Sequence, residues 1–104
     1  MADHRSEEYV EAVLAIVERI PRGRVTTYGA IADALFDSFR GGPRQVGSVM
    51  AHHGGPVPWW RVVRADGTLP PSHGAEARQA YLEESTPLRP SGAVDLRRAL
   101  WLPA

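Results

Sequence analysis

A mainly α fold, a winged helix-turn-helix with a small β-hairpin, is predicted for this chain by three observations. Apolar residues recur at helical spacing through the first 20 residues. Two further short helical stretches follow, joined by a brief loop, the second carrying Arg near its start. An Asp-Gly pair then stands between two short extended runs, which is a hairpin signal. The length of 104 residues suits one domain, taken as residues 1–104.

The first helix is the clearest element. Tyr9, Val10, Val13, Leu14, Val17 and Ile20 lie on one stripe. Ser6 is the expected N-cap, and Glu7 and Glu8 stand where the helix dipole favours acids. Pro21 and Gly23 end the helix. Val25 starts a short extended piece, and Thr26 or Thr27 caps a second helix over about Tyr28 to Leu35, with Ile31, Ala32 and Leu35 inward. Asp37 to Gly42 form a loop. Pro43 suits the first turn of a third helix, where its missing N–H costs nothing. Val46, Val49 and Met50 make that helix's stripe, Gly47 permits close backbone approach, and Gly54, Gly55 and Pro56 stop it.

Beyond it, Arg61 to Arg64 are extended and Ala65-Asp66-Gly67-Thr68 turns, so the helix-turn-helix is followed by a wing. Ser72 is the expected cap of a fourth helix over about Gly74 to Glu84. Pro87 and Pro90 mark a loop, and Leu96, Leu100 and Trp101 of a short terminal segment are expected to pack back on the body.

Composition excludes several classes of function. The chain is 43% apolar and 8% aromatic, as an ordinary globular domain is, and contains no cysteine. Disulfides, zinc-thiolate sites and cysteine nucleophiles are therefore excluded. No apolar run approaches the roughly 20 residues that cross a bilayer, and the polar start is not a signal peptide. A soluble, cytoplasmic, nucleoid-associated protein with no membrane partner is expected. His52 and His53 are adjacent, so a helix points them about 100° apart. His4 and His73 fit no ligand spacing, and no metal or cofactor is expected.

Net charge is zero, which argues against a broadly basic nucleic-acid binder, but the distribution is uneven. Residues 21–64 carry six Arg and two Asp, a net of +4, whereas residues 1–20 carry a net of −3. The central stretch is a candidate phosphate-facing surface.

Three stretches in order carry a resemblance. They are Ile20-Pro21-Arg22-Gly23-Arg24-Val25-Thr26-Thr27-Tyr28-Gly29-Ala30-Ile31-Ala32, then Pro43-Arg44-Gln45-Val46-Gly47, then Pro58-Trp59-Trp60-Arg61-Val62-Val63. Together they resemble the DNA-binding domain of the O6-alkylguanine-DNA alkyltransferases over roughly residues 8–85. In those enzymes the third stretch reads Pro-Cys-His-Arg-Val and the Cys takes the alkyl group. Trp59 stands at that position here, which is the mark of the alkyltransferase-like proteins. The chemistry agrees independently, because dealkylation needs a thiolate and an activating base, and an indole N–H only donates a hydrogen bond.

What this resemblance implies is a non-enzymatic sensor of O6-alkylguanine in duplex DNA. It would dock its helix-turn-helix in the minor groove, flip the lesion, and mark it for nucleotide-excision repair. Its partners would be double-stranded DNA containing O6-alkylguanine and the nucleotide-excision repair proteins, and it would act as a monomer. Arg44 matches the finger that fills the gap left in the base stack, a task suited to a planar guanidinium. Tyr28 matches the residue that helps rotate the nucleotide out. Trp59 would line the flipped-base pocket with Tyr28, Met50, Val62 and Ser72, with Val62 and Trp59 offering backbone carbonyls to the guanine amine and His73 beside Ser72 at the rim. Thr27, Tyr28, Arg44 and Ser48 are assigned to DNA binding, with His52 and His53 near phosphates.

Two departures stand out. Trp60 replaces the family's His, which relays a proton from the Cys, and is assigned a structural role. Leu69-Pro70-Pro71-Ser72-His73 replaces residues that are often basic or Gly/Ser-rich, which leaves the alkyl-size preference open. The alternative function is a winged-helix transcription regulator that reads undamaged sequence in the major groove, usually as a dimer. A repair enzyme is the third possibility, and it lacks the necessary thiolate.

Overall fold

Side chains spaced three and four residues apart build the first and longest helix. In the computed structural model, which describes residues 4–70 and 73–104, α1 spans His4–Arg19. It buries Val13, Ile16 and Val17, with Ile20 just beyond its end. The expected cap at Ser6 is corrected, because the helix already begins at His4 and Ser6 falls within its first turn. Ile16 widens the apolar stripe beyond the expected set.

The next two helices follow the local signals closely. Thr27 caps α2 (Tyr28–Leu35), its Oγ1 accepting from the Ala30 N–H at 3.0 Å. Pro43 opens α3 (Pro43–His53), and the Gln45 side chain reaches back to accept from the Gly42 N–H at 2.8 Å. Ile31, Ala32, Val46 and Val49 face inward and join the α1 stripe in one core. No helix among the described residues is long and apolar enough to cross a membrane.

The small sheet is built differently from the expected hairpin. A single 3-10 turn, Trp59–Arg61, leads into β2 (Val62–Val63), and β2 pairs in parallel with β1 (Thr26–Thr27), Thr26 opposite Val62 and Thr27 opposite Val63. Both valines are fully buried, so this strand needs cover on both faces, as parallel strands do. The Asp66-Gly67 turn forms as expected. The Arg64 N–H donates to the Thr68 carbonyl at 2.8 Å, and Gly67 adopts a left-handed φ of 85°. No strand follows it among the described residues, and Pro70 lacks the N–H that a return arm would use.

On the other side of β1, the Val25 N–H donates to the Ala99 carbonyl at 3.0 Å, and the Trp101 N–H donates to the Val25 carbonyl at 2.7 Å. The C-terminal segment is thereby stitched to the sheet. It contains α5 (Leu96–Ala99), with Val94 and Ala99 buried and Leu96 and Trp101 partly buried against the cores. Leu100 is corrected, because only its backbone joins the body and its side chain is exposed. The loop expected at Pro87 to Pro90 closes as a tight turn at Gly92, bridging Leu88 to Val94.

The end of α4 (Gly74–Glu84) fastens these parts together. Ser72, expected to cap this helix, lies outside the described residues. Both carboxylate oxygens of Glu84 are engaged by Arg61, Nε to Oε1 at 3.0 Å and Nη2 to Oε2 at 2.8 Å. Oε2 also accepts from Trp60 Nε1 at 2.9 Å, and Oε1 from the Gly23 N–H at 3.2 Å. Arg61 Nη1 donates to the Ile20 carbonyl at 2.9 Å, so the exit of α1 is held too. The pair is largely out of water, at 14% and 4% side-chain exposure. Burial pushes the Glu84 carboxyl up, but the hydrogen bonds from Arg61, Gly23 and Trp60 and the Arg61 charge outweigh it, and its pKa lies below the ordinary value.

Removing one partner of such a pair strands the other in the interior. Arg61→Ala is expected to lower the free energy of unfolding in urea by about 3 kcal/mol. Because the folded pKa of Glu84 is lowered, its contribution is fully present above the ordinary glutamate range and is lost as pH falls through the lowered folded value. Glu84→Gln should therefore be less stable near neutrality and show a flatter loss of stability on acidification than the wild type.

Candidate nucleic-acid interface

The packing of α2 on α3 brings residues distant in sequence around one cavity. The start of α2 lies against the start of α3, with a Cβ on Gly29 falling 3.8 Å from Pro43 Cγ. Tyr28 is thus presented next to a stripe of α3 made by Gly47, Met50, Ala51 and Gly54, positions that share a face by their spacing. The far wall is Trp59 from the 3-10 turn, then Leu69, Pro70, His73 and Glu76 from the wing exit and the start of α4. The cavity measures about 490 Å³ and is partly open to solvent. Its size and apolar, aromatic lining suit a small planar ligand.

Trp59 is half-buried rather than sealed in the core. Its ring meets Trp60 edge-on, with centroids 5.6 Å apart and planes at 84°, and lies 5.5 Å from the His73 ring. Trp60 is in turn fixed by Glu84, and Tyr81 donates its hydroxyl to the Trp60 carbonyl at 2.6 Å. The bonds of Trp60 to Glu84 and Tyr81 therefore orient the residue next to Trp59 of the cavity wall.

Tyr28 is half-buried at the mouth. Burial raises its pKa and the nearby Arg64 charge partly offsets the rise, so the phenol stays protonated and keeps a hydrogen to donate. Arg44 and Ser48 are exposed one turn apart on α3. His52 and His53 are exposed at its end, where His52 Nδ1 donates to the Ser48 carbonyl at 2.8 Å. Thr27 is half-buried, and its oxygen serves the α2 cap.

Of the five residues expected in the pocket, Tyr28, Met50 and Trp59 meet there. Val62 is corrected: its side chain is fully buried in the core and does not line the cavity. Its pairing with Thr26 sets it against the core that α1, α2 and α3 share. Ser72 lies outside the described residues. The sequence reading did not assign Gly47, Ala51, Gly54, Gly55, Leu69, Pro70 or Glu76 to the lining, nor Arg64 to a place beside Tyr28. The i, i+3, i+4, i+7 spacing of Gly47, Met50, Ala51 and Gly54 was a usable signal for the α3 wall.

Among the lining residues no cysteine is available, and Tyr28, His73 and Glu76 are the titratable groups. The cavity can hold a flat, partly apolar group, but it offers no thiolate to attack one.

Comparisons with known proteins accord with this geometry. Residues 8–86 match the family described as 6-O-methylguanine DNA methyltransferase, DNA binding domain. The chain is similar to a DNA base-flipping protein of Escherichia coli (strain K12), 36% identical over 104 residues that cover 93% of this chain and 77% of that protein. It is also similar to Alkyltransferase-like protein 1 of Schizosaccharomyces pombe, 39% identical over 88 residues and 77% of each chain. The crystal structure of S. pombe Atl1 in complex with damaged DNA containing O6-carboxymethylguanine superposes with a TM-score of 0.77 at 28% identity, covering 99% of this chain and 100% of that one.

Two glycines of the α3 wall separate packing from ligand approach. A Cβ on Gly54 would run into the Met50 carbonyl, whereas a Cβ on Gly47 would meet nothing within 4 Å. In urea denaturation Gly54→Ala should be destabilised, and Gly47→Ala should gain about 0.5–1 kcal/mol from helix propensity alone.

Proposed function

Because the chain belongs to the 6-O-methylguanine DNA methyltransferase family, as an alkyltransferase-like member with Trp59 where the reactive cysteine would stand, we propose that it recognises O6-alkylguanine in duplex DNA and holds it without repair. The observation that carries this is the open cavity bounded by Tyr28, Met50 and Trp59 beside the exposed start of α3.

The steps follow from the placement of side chains. α3 enters the minor groove with Gly47 against the sugar-phosphate wall, its missing side chain allowing close approach. Arg44 projects from the first turn of α3 and takes the place of the extruded base, where a guanidinium stacks and balances phosphate charge. The flipped purine passes Tyr28 and rests against the Trp59 indole, with Met50 across the ring. Extrusion costs a few kcal/mol, and less for a weakened pair, which favours the damaged base. Thr27, Ser48, Arg64 and the histidines at the end of α3 are assigned to the DNA backbone, a role that the exposure of Ser48, Arg64, His52 and His53 supports. Val62 contributes through its backbone alone, and Ser72 is assigned to the rim.

With no thiolate the encounter ends in a complex rather than a product, so the protein acts as a non-enzymatic marker. A persistent, bent complex is a signal for a second system, and nucleotide-excision repair is the system we assign to it. The protein acts as a monomer near the nucleoid.

Anisotropy titrations with matched duplexes at one stated salt concentration should give tighter binding to O6-methylguanine than to guanine. Equal affinities would reject lesion recognition and favour a regulator of undamaged DNA. Trp59→Ala should weaken lesion binding about tenfold, the worth of one stacked base, while changing guanine binding little. Arg44→Ala should also weaken lesion binding by about tenfold or more.

A further inference from the structure

The proposed lesion pocket carries an unexpected charge. Among the described residues that line the cavity, Glu76 is the sole carboxylate, and none is Arg or Lys. An acid is costly on a surface that must approach phosphates, so its place at the pocket calls for a reason. Glu76 stands in the first turn of α4, and its Oε1 lies 3.8 Å from His73 Nδ1. The His73 ring in turn lies 5.5 Å from the Trp59 ring. The carboxylate therefore belongs to the same wall of the cavity as His73 and Trp59, beside any base stacked on that indole. Arg64, close enough to Tyr28 to act on its pKa, is exposed and does not line the cavity.

Building on the lesion-binding function proposed above, we infer that Glu76 sets the adduct preference of this pocket. It disfavours O6 adducts that end in a carboxylate and favours neutral or hydrogen-bond-donating ones. A neutral alkyl group meets Met50, Trp59, Leu69 and Pro70 without an electrostatic cost. A carboxymethyl group would bring a second carboxylate toward Glu76 with no guanidinium or ammonium in the lining to share. A hydroxyalkyl group could donate to Glu76 instead. The chain would thus differ from the S. pombe relative, whose solved complex contains O6-carboxymethylguanine. Both side chains at this rim are mostly in water, at 62% and 73% exposure for His73 and Glu76, so the effect is that of a screened surface charge.

The test is a set of competition titrations at a single stated pH and salt concentration. The duplexes carry guanine, O6-methylguanine or O6-carboxymethylguanine, and the proteins are the wild type, Glu76→Gln and Glu76→Lys. The readout is the methyl-to-carboxymethyl affinity ratio, because removing a negative charge strengthens binding to every duplex. The wild type should favour methyl. Glu76→Gln should lower the ratio by about two- to fivefold, Glu76→Lys should lower it further, and added salt should shrink the wild-type ratio. A wild type that binds both lesions equally, or a ratio unmoved in Glu76→Gln, overturns the inference while leaving lesion recognition intact. If neither lesion is bound better than guanine, the underlying function fails and this preference with it.

Discussion

Four donors converge on the carboxylate of Glu84, and the geometry of the site depends on that convergence. Two come from Arg61, one from the Trp60 indole and one from the Gly23 backbone. Through Arg61 the same buckle holds the Ile20 carbonyl at the exit of α1. Apolar packing of Trp59 and Trp60 against Ala77 and Tyr81 brings the 3-10 turn to α4, and these directional bonds fix its angle between α4 and the helix-turn-helix. Gly23 fits there because its φ of 82° is left-handed and because a Cβ would lie 2.9 Å from the Glu84 carbonyl oxygen. A buried ion pair adds little net stability when compared with apolar packing, but its directional hydrogen bonds specify one arrangement. Here the arrangement they specify is a half-buried indole facing an open cavity.

The sheet contributes in the same sense. The two-residue strands β1 and β2 are too short to be stable alone. They persist because Val25 is stitched to the C-terminal segment on one side and because Val62 and Val63 are covered by both apolar cores. The parallel register places Thr27 opposite Val63, so the residue that caps α2 and the strand that follows the Trp59 turn are tied to one frame. Tyr28 and Trp59, on facing walls of the cavity, inherit their spacing from that frame.

The helical part of this architecture was legible in the sequence, since it rests on local chemistry. The Tyr9 to Ile20 stripe, the Thr27 cap and Pro43 at the first turn of α3 each act within a few residues of themselves. Trp59 at a position that should hold a nucleophile, combined with the absence of cysteine, was equally plain. What escaped was long-range. Arg61 and Glu84 are 23 residues apart, and nothing local selects Glu84 over its neighbour Glu83. The parallel pairing of Val62-Val63 with Thr26-Thr27 encloses the whole helix-turn-helix, so an adjacent Asp-Gly turn pointed to a hairpin instead. Val62 was assigned to the pocket wall because it matches such a position in the resembled family, yet pairing with β1 places it in the core shared by α1, α2 and α3. Glu76 and Leu69 reach the cavity only through the path of the chain after the turn.

On the proposed function, the Trp59 indole is the floor that receives a damaged base, in a cavity with no thiolate to dealkylate it. A crystal structure of the protein with a duplex containing O6-methylguanine tests this most directly, read as the distance from the alkylated base to the Trp59 indole. The expected result is the base outside the duplex in van der Waals contact with that ring, at about 3.5–4 Å, with Arg44 in the vacated stack and the methyl group still on oxygen. A lesion left paired within the helix, or a methyl group transferred to the protein, would contradict it.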